Sequence, residues 1–183
     1  CAAPGGKSFQ ILSQTNKLLM YEINARRALI LKQNLKRLGY TNNIYINDSR
    51  KINTSSKFDI VILDVPCSSV GTIRRNPEIF FRLQEPNFKT IIKTQKELLD
   101  TAKKIVKKNG IILYMACSFL SSETTNQIKK FLNKNDNFIL KKFKPKNDFD
   151  CLIDKNGYIK TMPIKFRKFY IDGFFAAQLK RND

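Results

Sequence analysis

The sequence predicts an α/β fold: a mostly parallel sheet with helices on both faces and an antiparallel edge. Three observations carry this. Short apolar or β-branched runs of strand length alternate with stretches whose apolar residues recur at helical spacing, the pattern of βαβ units. The segment Phe58–Asp64, FDIVILD, is apolar almost throughout, as expected of a strand covered on both faces. Towards the end of the chain the helical spacing gives way to successive strand-length runs, which calls for strands added antiparallel as the sheet closes. At 183 residues the chain suits one domain, and its 42% of hydrophobic residues can build a core.

Taken in order, residues 18–23, LLMYEI, have the length and apolarity of a strand. Ala28, Leu31, Leu35 and Leu38 then recur at helical spacing, predicting a helix over 24–38 that Gly39 stops. Residues 44–46, IYI, form a brief strand, and Phe58–Asp64 the covered one. The stretch 65–88 holds Pro66, Gly71, Pro77 and Pro86 and reads as a long loop. A helix is expected from about 88 to 108, ended by Asn109-Gly110, followed by a buried strand at 111–116. Residues 126–132 lie in a further helix, with Ser121 or Ser122 available as its N-cap. Strands are expected at 138–143, 157–162 and 173–179, with 144–155 an exposed loop.

Composition narrows the partners. There are 34 Lys and Arg against 15 Asp and Glu, a net charge of +19. Some of these lysines coat solvated helix faces, but the summed field favours a polyanion. Nucleic acid comes before an anionic membrane, since no segment sets a clean apolar face against a basic one. No apolar run approaches the roughly 20 residues of a membrane helix, and no targeting segment opens the chain. A cytoplasmic protein that binds no membrane is expected. The absence of His removes the commonest general base and metal ligand. The four cysteines, Cys1, Cys67, Cys117 and Cys151, form no CxxC pair, which disfavours a zinc cage and leaves no metal expected. Four cysteines in a chain this long are also a poor disulfide scaffold.

In open α/β sheets, ligands bind beyond the carboxyl ends of the strands. The sequence gathers Cys1-Ala2-Ala3-Pro4-Gly5-Gly6-Lys7, Glu22, Asp48, Asp64-Val65-Pro66-Cys67 and Ala116-Cys117-Ser118 at such ends. Gly5-Gly6 lets backbone approach a ligand closely, and the following helix offers its first amides. A carboxylate at the end of a strand, as Glu22 is, can hold the two hydroxyls of a ribose. Asp48, ending the next strand, would sit beside the base of the same nucleoside. These residues suggest a nucleoside-containing cofactor, and the absence of GxGxxG argues against a nicotinamide dinucleotide.

The segments CAAPGGK (1–7), DVPCSSVGTIRRNPE (64–78), ACS (116–118) and DGFFAAQL (172–179) resemble, in order and spacing, the RNA (cytosine-5) methyltransferase family, in particular its bacterial small-subunit ribosomal RNA branch. The resemblance runs from residue 1 to about 180. It implies a Rossmann-like S-adenosylmethionine-dependent methyltransferase fold and a single catalytic domain over 1–183. It also implies that the strand leading into CAAPGGK and an amino-terminal RNA-binding region lie outside this sequence. S-adenosylmethionine would be the methyl donor, with Cys1, Ala2, Ala3, Pro4, Gly5, Gly6 and Lys7 around its methionine part. Glu22 would hold the ribose, Asp48 would lie near the adenine, and Asp64 would stand where cofactor and substrate meet. Cys117 would be the nucleophile and Cys67 an accessory thiol.

That chemistry needs a thiolate. Carbon 5 of cytosine is too poor a nucleophile to take a methyl group until a thiolate adds at carbon 6, and Cys combines nucleophilicity with an accessible pKa. Related DNA enzymes place the nucleophile in the Pro-Cys segment, which here is Cys67; the second strand-end cysteine favours the RNA type. Arg74 and Arg75, close behind Cys67, are candidates for phosphates flanking a flipped-out cytosine. The chain departs from the family pattern at Glu22, Asn47, Ala116 and Ser122-Glu123-Thr124. Ribosomal RNA is the expected substrate and a monomer the expected state. The rival readings are an RNA-binding module in ribosome assembly and cytosine-5 methylation of DNA.

Overall fold

The computed structural model describes residues 1–81, 84–144 and 151–182. Contacts gather in two compact units, Cys1–Asn53 and Thr54–Asp183. In the first, helix α1 (Gly6–Leu12) precedes a βαβ unit of β1 (Met20–Glu22), α2 (Ala25–Arg37) and β2 (Ile44–Ile46). The two strands pair in parallel, Met20 opposite Ile44 and Glu22 opposite Ile46. Helix α2 starts where the Asn24 side chain accepts the Arg27 N–H and ends before Gly39, whose φ of +76 suits glycine at a helix terminus. Ala28, Leu31 and Leu35 are buried as the spacing predicts, and Leu31 and Leu35 pack with Ala3, Leu12 and Met20.

The second unit holds β3 (Phe58–Asp64), α3 (Phe88–Ile105), β4 (Val106–Ala116), α4 (Thr125–Leu132), β5 (Phe138–Lys141), β6 (Ile159–Lys160), β7 (Lys165–Phe166), β8 (Phe169–Tyr170) and β9 (Phe175–Arg181). One sheet runs in the order β3-β4-β9-β5, with β6 also on β9, while β7 and β8 make a separate hairpin. β3 and β4 are parallel, and β9 is antiparallel to β4, β5 and β6. The reversed strand expected at the edge therefore lies one place in, between β4 and β5, where its inward residues Phe175, Ala177 and Leu179 join the core. Helices α3 and α4 contribute Leu98, Leu99, Ala102, Ile128 and Phe131 to the same cluster. No helix among the described residues is long and apolar enough to cross a membrane.

Three local expectations are corrected. The helix expected to run to 108 stops at Ile105, and β4 begins at the next residue. Asn109-Gly110 does not end the helix; it sits inside β4 with Asn109 at φ +58. The ladder steps from Phe58 opposite Val106 to Ile60 opposite Ile111, so residues 107–110 bulge. A turn-forming pair looks the same in sequence whether it breaks a helix or bulges a strand. Second, β3 is not covered on both faces: Val61 and Leu63 pack on the core, but Ile60, pointing the other way, is 58% exposed. Third, Ser121–Glu123 forms a 3-10 turn and Thr124 precedes α4, so neither serine is the cap. The long loop carries two 3-10 turns, at Val70–Thr72 and Pro77–Phe81. Part of the loop expected at 144–155, residues 145–150, lies outside the described residues.

Candidate active site

Parallel pairing puts the carboxyl ends of β3 and β4 side by side. Asp64 is opposite Met115, and the Val65 N–H donates to the Met115 carbonyl at 3.0 Å. The chain then leaves both strands into loops that bear Cys67 and Cys117, whose Sγ atoms lie 3.1 Å apart. Ser69 Oγ is 3.6 Å from the Cys117 sulfur. Ser69 itself is in the left-handed region, φ 63 and ψ 15, a conformation uncommon outside glycine that here turns its hydroxyl towards the thiols. Thr72 holds that turn, donating its N–H and its hydroxyl to the Ser69 carbonyl.

Two thiols this close cannot both ionise readily. The hydrogen bond from Cys67 draws the Cys117 pKa well below the ordinary thiol value, with help from Ser69 and against the cost of burial. The Cys67 thiol is pushed up by that same bond, by burial, and by the charges of Cys117 and Glu123. Both shifts bias the pair in one direction, towards a thiolate on Cys117 with the proton on Cys67. Asp64, half-buried at the end of β3, opposes the Cys117 charge with its own.

Beneath the thiols, Glu123 is 0% exposed. Its Oε1 accepts the Ser68 N–H at 2.7 Å, and its Oε2 accepts the hydroxyls of Ser68 and Ser118, each at 2.6 Å. Gln95 reaches Oε1 at 3.5 Å while donating to the Pro66 carbonyl at 2.9 Å. Tyr114 donates its hydroxyl to the Glu123 carbonyl at 2.7 Å. One buried carboxylate thus grips the residue after each cysteine, with its desolvation offset by neutral donors. Ser69 and the Glu123 network are parts of the thiol centre that sequence reasoning missed. The available signal was a serine immediately following each strand-end cysteine and an acid shortly after the second.

A third loop joins these two. The Gly71 N–H donates to the Cys117 carbonyl at 3.0 Å, and the Gly173 N–H to the Gly71 carbonyl at 2.7 Å. A Cβ on Gly71 would stand 1.9 Å from the Gly173 oxygen, so only glycine fits. Arg74 and Arg75 both pair with Asp172, the residue before Gly173. Their guanidinium groups share one carboxylate and keep one net positive charge between them.

In the first unit, the loop 1–7 wraps on a strand-end carboxylate. Glu22, at the end of β1, is 0% exposed. Its Oε2 accepts the Ala3 N–H at 3.2 Å and its Oε1 the Asn24 N–H at 3.1 Å, tying the loop to the start of α2. Arg27 lies 4.0 Å from Oε2 and donates to the Ala3 carbonyl, and Asn34 donates to that of Pro4 at 3.2 Å. Gly5, at φ +116, leaves no room for a side chain: a Cβ there would meet the Phe9 ring at 2.3 Å. Gly6 and Lys7 are exposed. Asp48 caps the turn Ser49–Lys51, and its side-chain hydrogen bonds from Arg50 hold its pKa below the usual carboxylate value. Cys151 is exposed. Among the described residues no group of three or more Cys, Asp or Glu is placed to hold a metal ion.

The fold is that of a Rossmann-like methyltransferase. The crystal structure of PH0851 superposes with a TM-score of 0.87 at 33% identity, covering 99% of this chain and 41% of that one. NSun6 from Pyrococcus horikoshii, solved with SFG, superposes with a TM-score of 0.81 at 24% identity, over 100% of this chain and 47% of its own.

The chain belongs to the 16S rRNA methyltransferase RsmB/F family, whose profile matches residues 1–180. The ribosomal RNA small subunit methyltransferase B of Cronobacter sakazakii is 32% identical over 186 residues, 98% of this chain and 40% of the relative. Its counterpart in Pasteurella multocida is 31% identical over 191 residues, 99% of this chain and 41% of the relative. The chain spans about two-fifths of the length of these relatives.

Proposed function

We propose that this chain catalyses methylation of carbon 5 of cytosine in RNA, with small-subunit ribosomal RNA as substrate and S-adenosylmethionine as donor. The observation that carries this reading is the thiol pair, 3.1 Å apart, with Cys117 lowered and Cys67 raised in pKa. The Cys117 thiolate adds to carbon 6 of the ring, and the displaced electron pair moves to carbon 5. Asp64, at the same strand end, accepts from the exocyclic amine or, in its protonated form, donates to the ring nitrogen as negative charge develops there. S-adenosylmethionine supplies the methyl group that carbon 5 takes. The carbon 5 proton then leaves to water; its bonding pair restores the ring double bond, and the bond from Cys117 to carbon 6 breaks. The Cys67 S–H, donating to the Cys117 sulfur, stabilises the thiolate both as it attacks and as it departs.

The first unit suits the donor's chemistry. Backbone at Cys1, Ala2, Ala3, Pro4, Gly5, Gly6 and Lys7 is assigned to the methionine part, Glu22 to the ribose and Asp48 to the adenine. Each Glu22 oxygen accepts one backbone N–H, so a ribose hydroxyl would share an oxygen with the loop that Glu22 holds. In the second unit, Arg74 and Arg75 offer their remaining positive charge to a phosphate.

The deciding experiment is transfer of labelled methyl from S-adenosylmethionine to unmodified small-subunit ribosomal RNA, with nuclease digestion of the product. Labelled 5-methylcytosine from the native protein and none from Cys117→Ala is the expected result. The Cys67→Ala variant should leave a protein–RNA adduct that survives denaturation. Turnover by Cys117→Ala with loss in Cys67→Ala would reverse the two roles, as in the DNA enzymes.

A further inference from the structure

The β7–β8 hairpin, Lys165-Phe166-Arg167-Lys168-Phe169-Tyr170, mixes three basic with three aromatic side chains around a two-residue turn. Phe169 is 60% and Tyr170 62% exposed, and neither belongs to a core cluster. A cation stands over each ring. Arg167 lies 5.5 Å from the Phe166 centroid, Lys168 5.4 Å from that of Phe169, and Arg74 5.9 Å from that of Tyr170. Two strands of two residues cannot be stable alone; this hairpin is fastened at its base, where the Ile171 N–H donates to the Ile164 carbonyl at 3.0 Å. Rings left in water cost solubility unless they serve recognition.

The fastening also fixes where the hairpin lies. Arg74 stands over the Tyr170 ring, Arg74 pairs with Asp172, Gly173 hydrogen-bonds Gly71, and Gly71 hydrogen-bonds Cys117. These links all lie within one compact unit, so the aromatic–basic strip is connected to the thiol centre through the segments that carry Asp172, Gly173 and Gly71. Exposed rings interleaved with cations are what unpaired bases and their phosphates require: a π-face for each base and a positive charge beside it. A duplex, with its bases already stacked, has no use for the rings.

We propose that the hairpin 165–170 binds the unpaired RNA strand adjoining the target cytosine, Phe169 and Tyr170 stacking on bases while Lys165, Arg167 and Lys168 meet phosphates. This rests on the reading of RNA as substrate, and the test separates the two. A fluorescein-labelled unpaired RNA oligonucleotide and a duplex of the same sequence are titrated with the full chain by anisotropy, at several salt concentrations. Phe169→Ala with Tyr170→Ala should weaken binding of the unpaired strand at least about 5-fold and leave the duplex unchanged. Tyr170→Phe, which keeps the ring, should bind as the native chain does. Arg167→Ala with Lys168→Ala should flatten the slope of log affinity against log salt by about 1.4, roughly 0.7 for each phosphate that is no longer neutralised. Lys129→Ala with Lys130→Ala, exposed cations on α4, is the charge control and should change the unpaired-strand preference little.

Unchanged binding of the unpaired strand by the ring-deleted variant would overturn the proposal. Equal losses for strand and duplex, equal losses in the α4 control, or ring-dependent binding to anionic vesicles in place of RNA would do the same. A native chain that shows ring-dependent binding but transfers no methyl group would uphold the hairpin site and sink the catalytic reading instead.

Discussion

At Cys117 the neighbours decide the chemistry more than the residue does. Its thiolate is held by the S–H of Cys67 and faced by the Ser69 hydroxyl, and its pKa is lowered to about 6. Alkylation by iodoacetamide, followed at Cys117 by mass spectrometry, should therefore rise as pH climbs through about 6. The direction follows from the thiolate being the reactive form: below that pH it is protonated, above it charged. In Cys67→Ala the donor is gone and the midpoint should move up towards the ordinary thiol value; an unmoved midpoint would discard the pairing. Glu123→Ala should cost about 1–3 kcal/mol in unfolding free energy, because it strands the buried donors of Ser68 and Ser118. It should also slow Cys117 alkylation at neutral pH by loosening both thiol loops. The two cysteines were legible in the sequence because a thiol at a strand end is chemically conspicuous. Ser69 and Glu123 were not, since a serine and a glutamate acquire their roles only from the turn and the burial around them.

Among the elements, strand and helix identity followed from periodicity, while their ends followed from tertiary contacts. Asn24 caps α2 with its side chain and Gly39 ends it at a positive φ, whereas Asn109-Gly110 ended no helix because β4 has already begun at Val106 and these residues bulge between its pairings with β3. Residues of β9 announced a strand but not its place, since insertion between β4 and β5 depends on which neighbours have open ladders. The loops at the strand ends are held by backbone contact, and this can be tested with two glycines. Gly71→Ala should lower the melting temperature and abolish methyl transfer, because its Cβ meets a backbone oxygen that cannot swing aside. Gly6→Ala, with nothing within 4 Å of its Cβ, should leave the melting temperature as it was. Equal thermal unfolding of the two variants would dismiss the close approach.

Over the whole molecule, the sequence reads as a single domain over 1–183, whereas contacts gather in two compact units, one carrying the loop 1–7, Glu22 and Asp48 and the other the two thiols. Glu22 shows the limit of pattern reading. Its position promised a ribose contact, yet its burial makes it a structural anchor for the loop as well. Glu22→Ala should therefore both weaken S-adenosylmethionine binding by calorimetry and lower unfolding free energy by about 1–3 kcal/mol, as two backbone amides lose their acceptor. Loss of cofactor affinity with full stability would assign Glu22 to the ligand alone. The net charge of +19 belongs to this scale too. It should make RNA affinity fall steeply with salt for every sequence, leaving the choice of cytosine to contacts at the thiol centre.

The meeting of Gly71 and Gly173 has a consequence for the gene. Every single-base change in a glycine codon that alters the protein brings in a residue with a Cβ or ends the chain. At position 71 each of those residues would drive a carbon atom into the Gly173 oxygen, and with it part the segments that carry Cys67, Cys117 and Asp172. The codon therefore has only its third base free to drift.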